Sequence, residues 1–166
     1  MPEITNTSRA DESLWRFALA FYARHGIAET CLLLQDEHKV NVCMLIGLHW
    51  LDMNECILSI EELVDLSEHT QKWTHEIVDP LRALRRTLKK PFENFPQDEL
   101  QEQVRSLIKQ AELLAEKKLL VEIERWTTKI SVADNLYNNP NVEQYFSHLG
   151  MDKIFAATII QKLTRQ

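Results

Sequence analysis

Three glycines and five prolines in 166 residues leave little to punctuate the chain. A many-stranded sandwich or barrel needs turn residues between its strands, and the Rossmann and P-loop folds need glycines where backbone approaches phosphate. So few breakers argue against both. The longest apolar run, residues 42–51, is interrupted by His49 and is about half of what a membrane-spanning helix requires. Residues 1–11 are polar and lack the basic start, apolar stretch and cleavage site of a secretory signal. Cysteine is scarce too: Cys31, Cys43 and Cys56 are odd in number and form no CxxC pair. A zinc knuckle or redox dithiol is therefore not expected, and free thiols suit the cytoplasm. Positive charge is in deficit, 19 Lys and Arg against 25 Asp and Glu, for a formal charge of -6. That balance disfavours nucleic acid as a partner.

What is present is helical. Residues 1–12 read as a flexible N-terminus. Ser13 or Asp11 could cap a helix that runs to about Arg24, and His25-Gly26 reads as its stop. A second helix covers residues 28–37. A third, residues 41–53, is apolar on all sides and belongs at the centre of the core, with Asn41 as its cap; a buried strand is the competing reading. Ser59 and Glu62 form a capping box. Asp79-Pro80 reads either as a new helix start or as a kink in one long helix. After the linker PFENFP, residues 97–127 keep an apolar stripe through Leu100, Val104, Ile108, Ala111, Ala115, Leu119, Ile123 and Trp126, with Glu112 and Glu116 expected opposite it. Asn139 is the expected cap of a short helix ending at Gly150, and a last helix carries Ile154, Phe155, Ala157 and Ile159. The expected fold is all-α: a single-domain, bundle-like arrangement of about six to eight helices over residues 13–166.

The run from Phe17 to Leu51 (FALAFYARHGIAETCLLLQDEHKVNVCMLIGLHWL), Trp73, and VDPLRALRRTLK from Val78 to Lys89 together resemble an uncharacterised proteobacterial family of about this length, domain of unknown function 2390. The resemblance covers residues 13–90 and leaves 91–166 as a variable helical part. It implies a proteobacterial intracellular protein and no particular activity. The family pattern has a glycine near position 39 and a proline near 25, where this chain has Lys39 and His25.

Five cations, Arg82, Arg85, Arg86, Lys89 and Lys90, fall within nine residues of an otherwise acidic chain. Helical spacing puts Arg82, Arg85, Arg86 and Lys89 on one face. Guanidinium forks suit an acidic protein surface or a phosphate-bearing ligand. The competing account is that the acidic helix 97–127 folds back and neutralises them. Gln35, Asp36, His38 and Asn41 form a polar knot that could line a pocket, and Cys43 beside it invites a cysteine–histidine–aspartate reading. Against that reading, Asp36 and Asn41 are suited to capping and Cys43 to burial. His49 reads as a core or boundary histidine bonded to a carbonyl. Asp65 with His69, and His75 with Asp79, are spaced as surface pairs, and HExxH is absent, so no metal site is expected. Trp15, Trp50, Trp73 and Trp126 read as packing anchors on four helices.

The sequence therefore points to a non-enzymatic interaction, regulatory or adaptor protein, cytoplasmic, using its Arg-rich face on an acidic partner or the long helix for self-association. No cofactor, metal or membrane span is expected. The alternative is a ligand-binding protein or enzyme with a pocket near residues 35–41.

Overall fold

Most helix starts among the described residues are met by a side chain that takes up orphan N–H groups. The computed structural model describes residues 13–130 and 139–165; the expected flexible N-terminus and the Asp11 cap lie outside them. Helix α1 spans Ser13–Tyr22 and α2 spans Ile27–His38. Between them Gly26 turns the chain at φ +77°, which glycine adopts without a Cβ penalty. Helix α2 closes at Lys39, held left-handed at φ +57°.

Helix α3, Val42–Met53, is the core rod. Asn41 caps it, its side chain accepting from the Met44 N–H at 3.1 Å, and Cys43 through His49 and Leu51 are buried. The apolar run is thus a helix and not a strand. It ends in a Schellman-type turn: the Cys56 N–H donates to Leu51 O and the Glu55 N–H to Asp52 O, with Glu55 left-handed at φ +56°. Where α3 crosses the longest helix, a Cβ on Gly47 would stand 2.8 Å from the Ile123 side-chain Cγ2, so a larger residue there would force Ile123 or its helix to shift.

Ser59 opens α4, Ile60–Trp73, with both halves of the capping box made. Helix α4 continues through a π-helical turn, Thr74–Val78, into α5, Asp79–Thr87. Asp79 is therefore no cap. Of the two sequence readings of Asp79-Pro80, the continuous helix is the one found. The wider turn lets the Asp79 N–H reach Thr74 O just before Pro80, which has no N–H to donate. Helix α6, Glu99–Thr127, is capped by Asp98 and returns along the α4–α5 rod.

Helix α7, Asn141–His148, has its N-terminus at Pro140, so Asn139 is not its cap. The capping is supplied from α3 instead: Asp52 accepts from the N–H groups of Asn141 at 2.7 Å and Val142 at 3.1 Å. The fully buried Asn141 side chain accepts from the Leu58 N–H and donates to Cys56 O. Gly150, at φ +70°, ends α7, and Asp152 caps α8, Lys153–Thr164. Counting the rod as one, the described residues form seven helices and no strand, a compact all-α fold. Buried side chains of α1, α2, α3, α4, α6, α7 and α8 share one core around α3. No described helix is long and apolar enough to cross a membrane.

Candidate functional site

The Arg-rich face of α5 meets α6. Arg82 donates through Nη2 to Glu116 at 2.9 Å and through Nη1 to Asp79 at 3.1 Å, and its Nε lies 3.3 Å from Glu112. Arg85 grips Glu112 with two N–H groups, Nε to one carboxylate oxygen and Nη2 to the other at 3.1 Å. Glu112 retains 7% of its side-chain exposure, and the two guanidiniums 15% and 19%. Glu112 and Glu116 therefore do not sit on the outer face expected for them. They face the rod, because two arginines one helical turn apart supply matching charge. Burial raises the Glu116 carboxyl pKa against the lowering effect of Arg82, and the Glu112 bond raises that of Arg85.

The other cations differ. Arg86 turns to Asp36 on α2, Nη2 to Oδ1 at 2.8 Å, at a solvent-exposed position; that bond holds the Asp36 carboxyl below its usual range. Lys89 and Lys90 lie past the end of α5 with exposed side chains. Their carbonyls accept from Gln97 and Gln101.

The polar knot does not converge. Gln35 and Asn41 line a pocket of about 300 Å³ together with His75, Asp79 and Arg82. The Asn41 amide donates to the Thr74 hydroxyl at 2.9 Å, and its backbone N–H to the Tyr145 hydroxyl at 3.2 Å. Asp36 is an α2 residue bonded to Arg86 and is not a cap. The His38 ring stacks on Phe155 at 4.6 Å. Asp36 and His38 thus engage different partners, neither of them Cys43, and burial drives the Cys43 thiol pKa up. The Cys31 thiol is pushed up to about 12 by the same cause. Both stay protonated and poorly nucleophilic at neutral pH.

His49 is buried, its ring tilted against Phe17 and Phe21 at 5.9 and 5.0 Å. Asp65 accepts from Trp126 Nε1 at 2.9 Å and is not paired with His69, while His75 and Asp79 pair at 3.0 Å on the surface. Among the described residues no three His, Cys, Asp or Glu side chains gather as a metal-holding group. Trp73, more than a third exposed, anchors α4 to α6 by donating to Ala115 O at 3.0 Å.

Two surfaces of α6 remain open. Toward α1, α2 and α3 lies a cleft of about 580 Å³, walled by Trp15, Leu19, Ile46 and Leu113 and floored by the Arg85–Glu112 pair. The Tyr22 hydroxyl and Lys109 also line it. Burial is the main cause of a raised Tyr22 pKa. Nothing in the sequence marked Tyr22 or Lys109 as site residues, because the two helices that carry them meet at this cleft only in the fold. On the other side of α6, Leu100, Val104, Leu107 and Leu114 are 49–69% exposed. Of the expected apolar stripe, Leu100 and Val104 thus stand in solvent, Ile108 and Ala111 are half-buried, and Ala115, Leu119, Ile123 and Trp126 pack inward.

The chain was compared with known proteins on this footing. No curated protein and no solved structure matches it. Residues 13–123 match a family described as protein of unknown function (DUF2390), a span that passes residue 90 and takes in most of α6 with both of its open surfaces. The Arg–Glu cluster between α5 and α6 lies wholly inside that span, and the chain belongs to the DUF2390 family of proteins of unknown function.

Proposed function

We propose that the protein is a non-enzymatic interaction protein that pairs with a second copy of itself through the outer face of α6. One observation carries this: Leu100, Val104, Leu107, Ala111 and Leu114 recur at alternating steps of four and three. That is the spacing of a coiled-coil seam, and its four large side chains are exposed. Gln103 and Gln110 flank the seam without charge repulsion. The first turn of α6 is acidic, with Glu99 and Glu102, and Lys117 and Lys118, the latter paired with Glu122, follow the last seam residue Leu114. An antiparallel copy would set opposite charges against each other at both ends, which favours that orientation.

The Arg-rich face supports this role less than its sequence suggests, since Arg82 and Arg85 are held by Glu112 and Glu116. The exposed Lys89 and Lys90 keep an acidic protein partner as the competing reading. The free thiols of Cys31, Cys43 and Cys56 support the cytoplasm as its place, and the sequence resemblance a proteobacterial cell. Light scattering coupled to size exclusion tests the pairing. The full chain is expected to run as a dimer at micromolar concentration, and Leu107→Glu with Leu114→Glu as a folded monomer. A wild-type monomer that becomes dependent on Lys89 and Lys90 for capture of an acidic protein would replace this reading with the other.

A further inference from the structure

The cleft on the inner side of α6 is independent of the outer seam. At 3.6 residues per turn, Lys109 and Leu113 lie on the side of α6 roughly opposite Val104 and Leu107. Its volume of about 580 Å³ is that of a small-molecule site. Its walls are apolar, and its lining carries three cations, Arg82, Arg85 and Lys109, with two carboxylates, Glu112 and Glu116. Arg82 and Arg85 are neutralised by Glu112, Glu116 and, just outside the lining, Asp79; Lys109 is the lining cation with no ion pair among the described residues.

The donors on that side are also incompletely used. Arg85 spends Nε and Nη2 on Glu112, which leaves the N–H groups of Nη1 without a partner among the described residues. The guanidinium is held rigid by the paired edge and presents the other. Lys109, one turn before Glu112 and Leu113 on the same helix, is exposed and makes no ion pair among the described residues. The Tyr22 hydroxyl on the same lining makes no hydrogen bond there either. Opposite these groups stand Trp15, Leu19 and Ile46.

We propose that this cleft binds an amphipathic organic anion: a medium-length apolar body carrying a single carboxylate or phosphate. The head lies between Arg85 and Lys109, where a charge-assisted bond to a half-occupied guanidinium is strongest. The body lies along Trp15, Leu19, Ile46 and Leu113 and displaces water from apolar surface. The pocket beside residues 35–41 shares Gln35, Cys43 and Arg82 with the cleft, but it is about half the volume.

Calorimetric titration of the full chain with decanoate, decyl phosphate, decanol and decyltrimethylammonium tests this. Decanoate or decyl phosphate, whichever head the site prefers, should bind once per chain, with decanol and the cation at least about tenfold weaker. Lys109→Glu, at an exposed and unpaired position, should weaken the anion at least about tenfold and leave the melting temperature unchanged. Leu113→Glu should abolish binding. Val104→Glu, on the seam, should leave it intact even where it dissolves a dimer, so the two proposals fail separately. The inference is overturned if neither anion binds below millimolar concentration, if the cation binds as tightly as the anions, or if Val104→Glu weakens binding as much as Lys109→Glu.

Discussion

His49 shows how a single residue's surroundings set a stability dependence. It is 5% exposed between Phe17 and Phe21. Burial lowers its pKa, and the nearby Arg24 guanidinium lowers it further. The folded protein therefore holds the neutral ring, while the unfolded chain takes up a proton near the ordinary value of 6.5. Below that value unfolding gains a proton-binding advantage, so the stabilisation is complete above pH 6.5 and is lost as pH falls toward the depressed folded pKa. Denaturant melts across this window should show wild type losing stability on acidification. His49→Phe, which keeps an aromatic ring against the two phenylalanines, should remove that component. An equal slope in both proteins would assign the loss to another group. Asp36 has a lowered pKa as well, but its exposure to solvent leaves it a small share.

At the scale of elements, the contact of the α4–α5 rod with α6 is made by charge as much as by apolar surface. Glu112 is the hinge of that contact, since both Arg82 and Arg85 bear on its carboxylate. Removing one member of a buried pair leaves the others desolvated and uncompensated, which costs on the order of 3–5 kcal/mol. Glu112→Gln is expected to destabilise the protein by that order in urea denaturation. Asp36→Asn, which releases the exposed Arg86, is expected to cost about 0–1 kcal/mol. Comparable losses from the two would mean that the buried carboxylate is no more important than a surface one. The caps were legible at this scale, as Asn41 and the Ser59–Glu62 box demonstrate, because a cap acts within three residues. The fate of Asp79 was not settled by sequence. It has the residue type of a cap and precedes a proline, yet the helix running into it from α4 is held by α6 and does not stop.

Over the whole molecule, the C-terminal helices are joined to the core by a few buried polar bonds as well as by apolar packing. Asn141 links three segments: its side chain bonds Leu58 and Cys56, and its N–H bonds Asp52. Asn141→Ala removes the bonds to the Leu58 N–H and the Cys56 carbonyl in a buried joint and is expected to cost on the order of 2–4 kcal/mol. Amide exchange should report the loss locally, at Leu58, before the global transition. Unchanged protection there would show that water replaces the side chain at no cost. Burial raises the Asp52 carboxyl pKa even though the N–H groups of Asn141 and Val142 lower it, so this joint is costly in charge and is held by its geometry.

The sequence by itself determined the helical class, the central place of residues 42–51 and the turns at Gly26 and Gly150, because periodicity, propensity and capping act over one or two turns of chain. It could not determine which faces of the charged helices meet. Arg82 and Glu116 are 34 residues apart, and Arg85 and Glu112 are 27 apart. Each helix taken alone would keep its charges in water. Nor could it determine that Leu100, Val104 and Leu107 stay in solvent while Leu119 and Ile123, on the same helix, are buried. That depends on how far α6 runs past the core it packs on. Only the tertiary structure decides it, because the length of a helix is set by local rules and the reach of its partners is not.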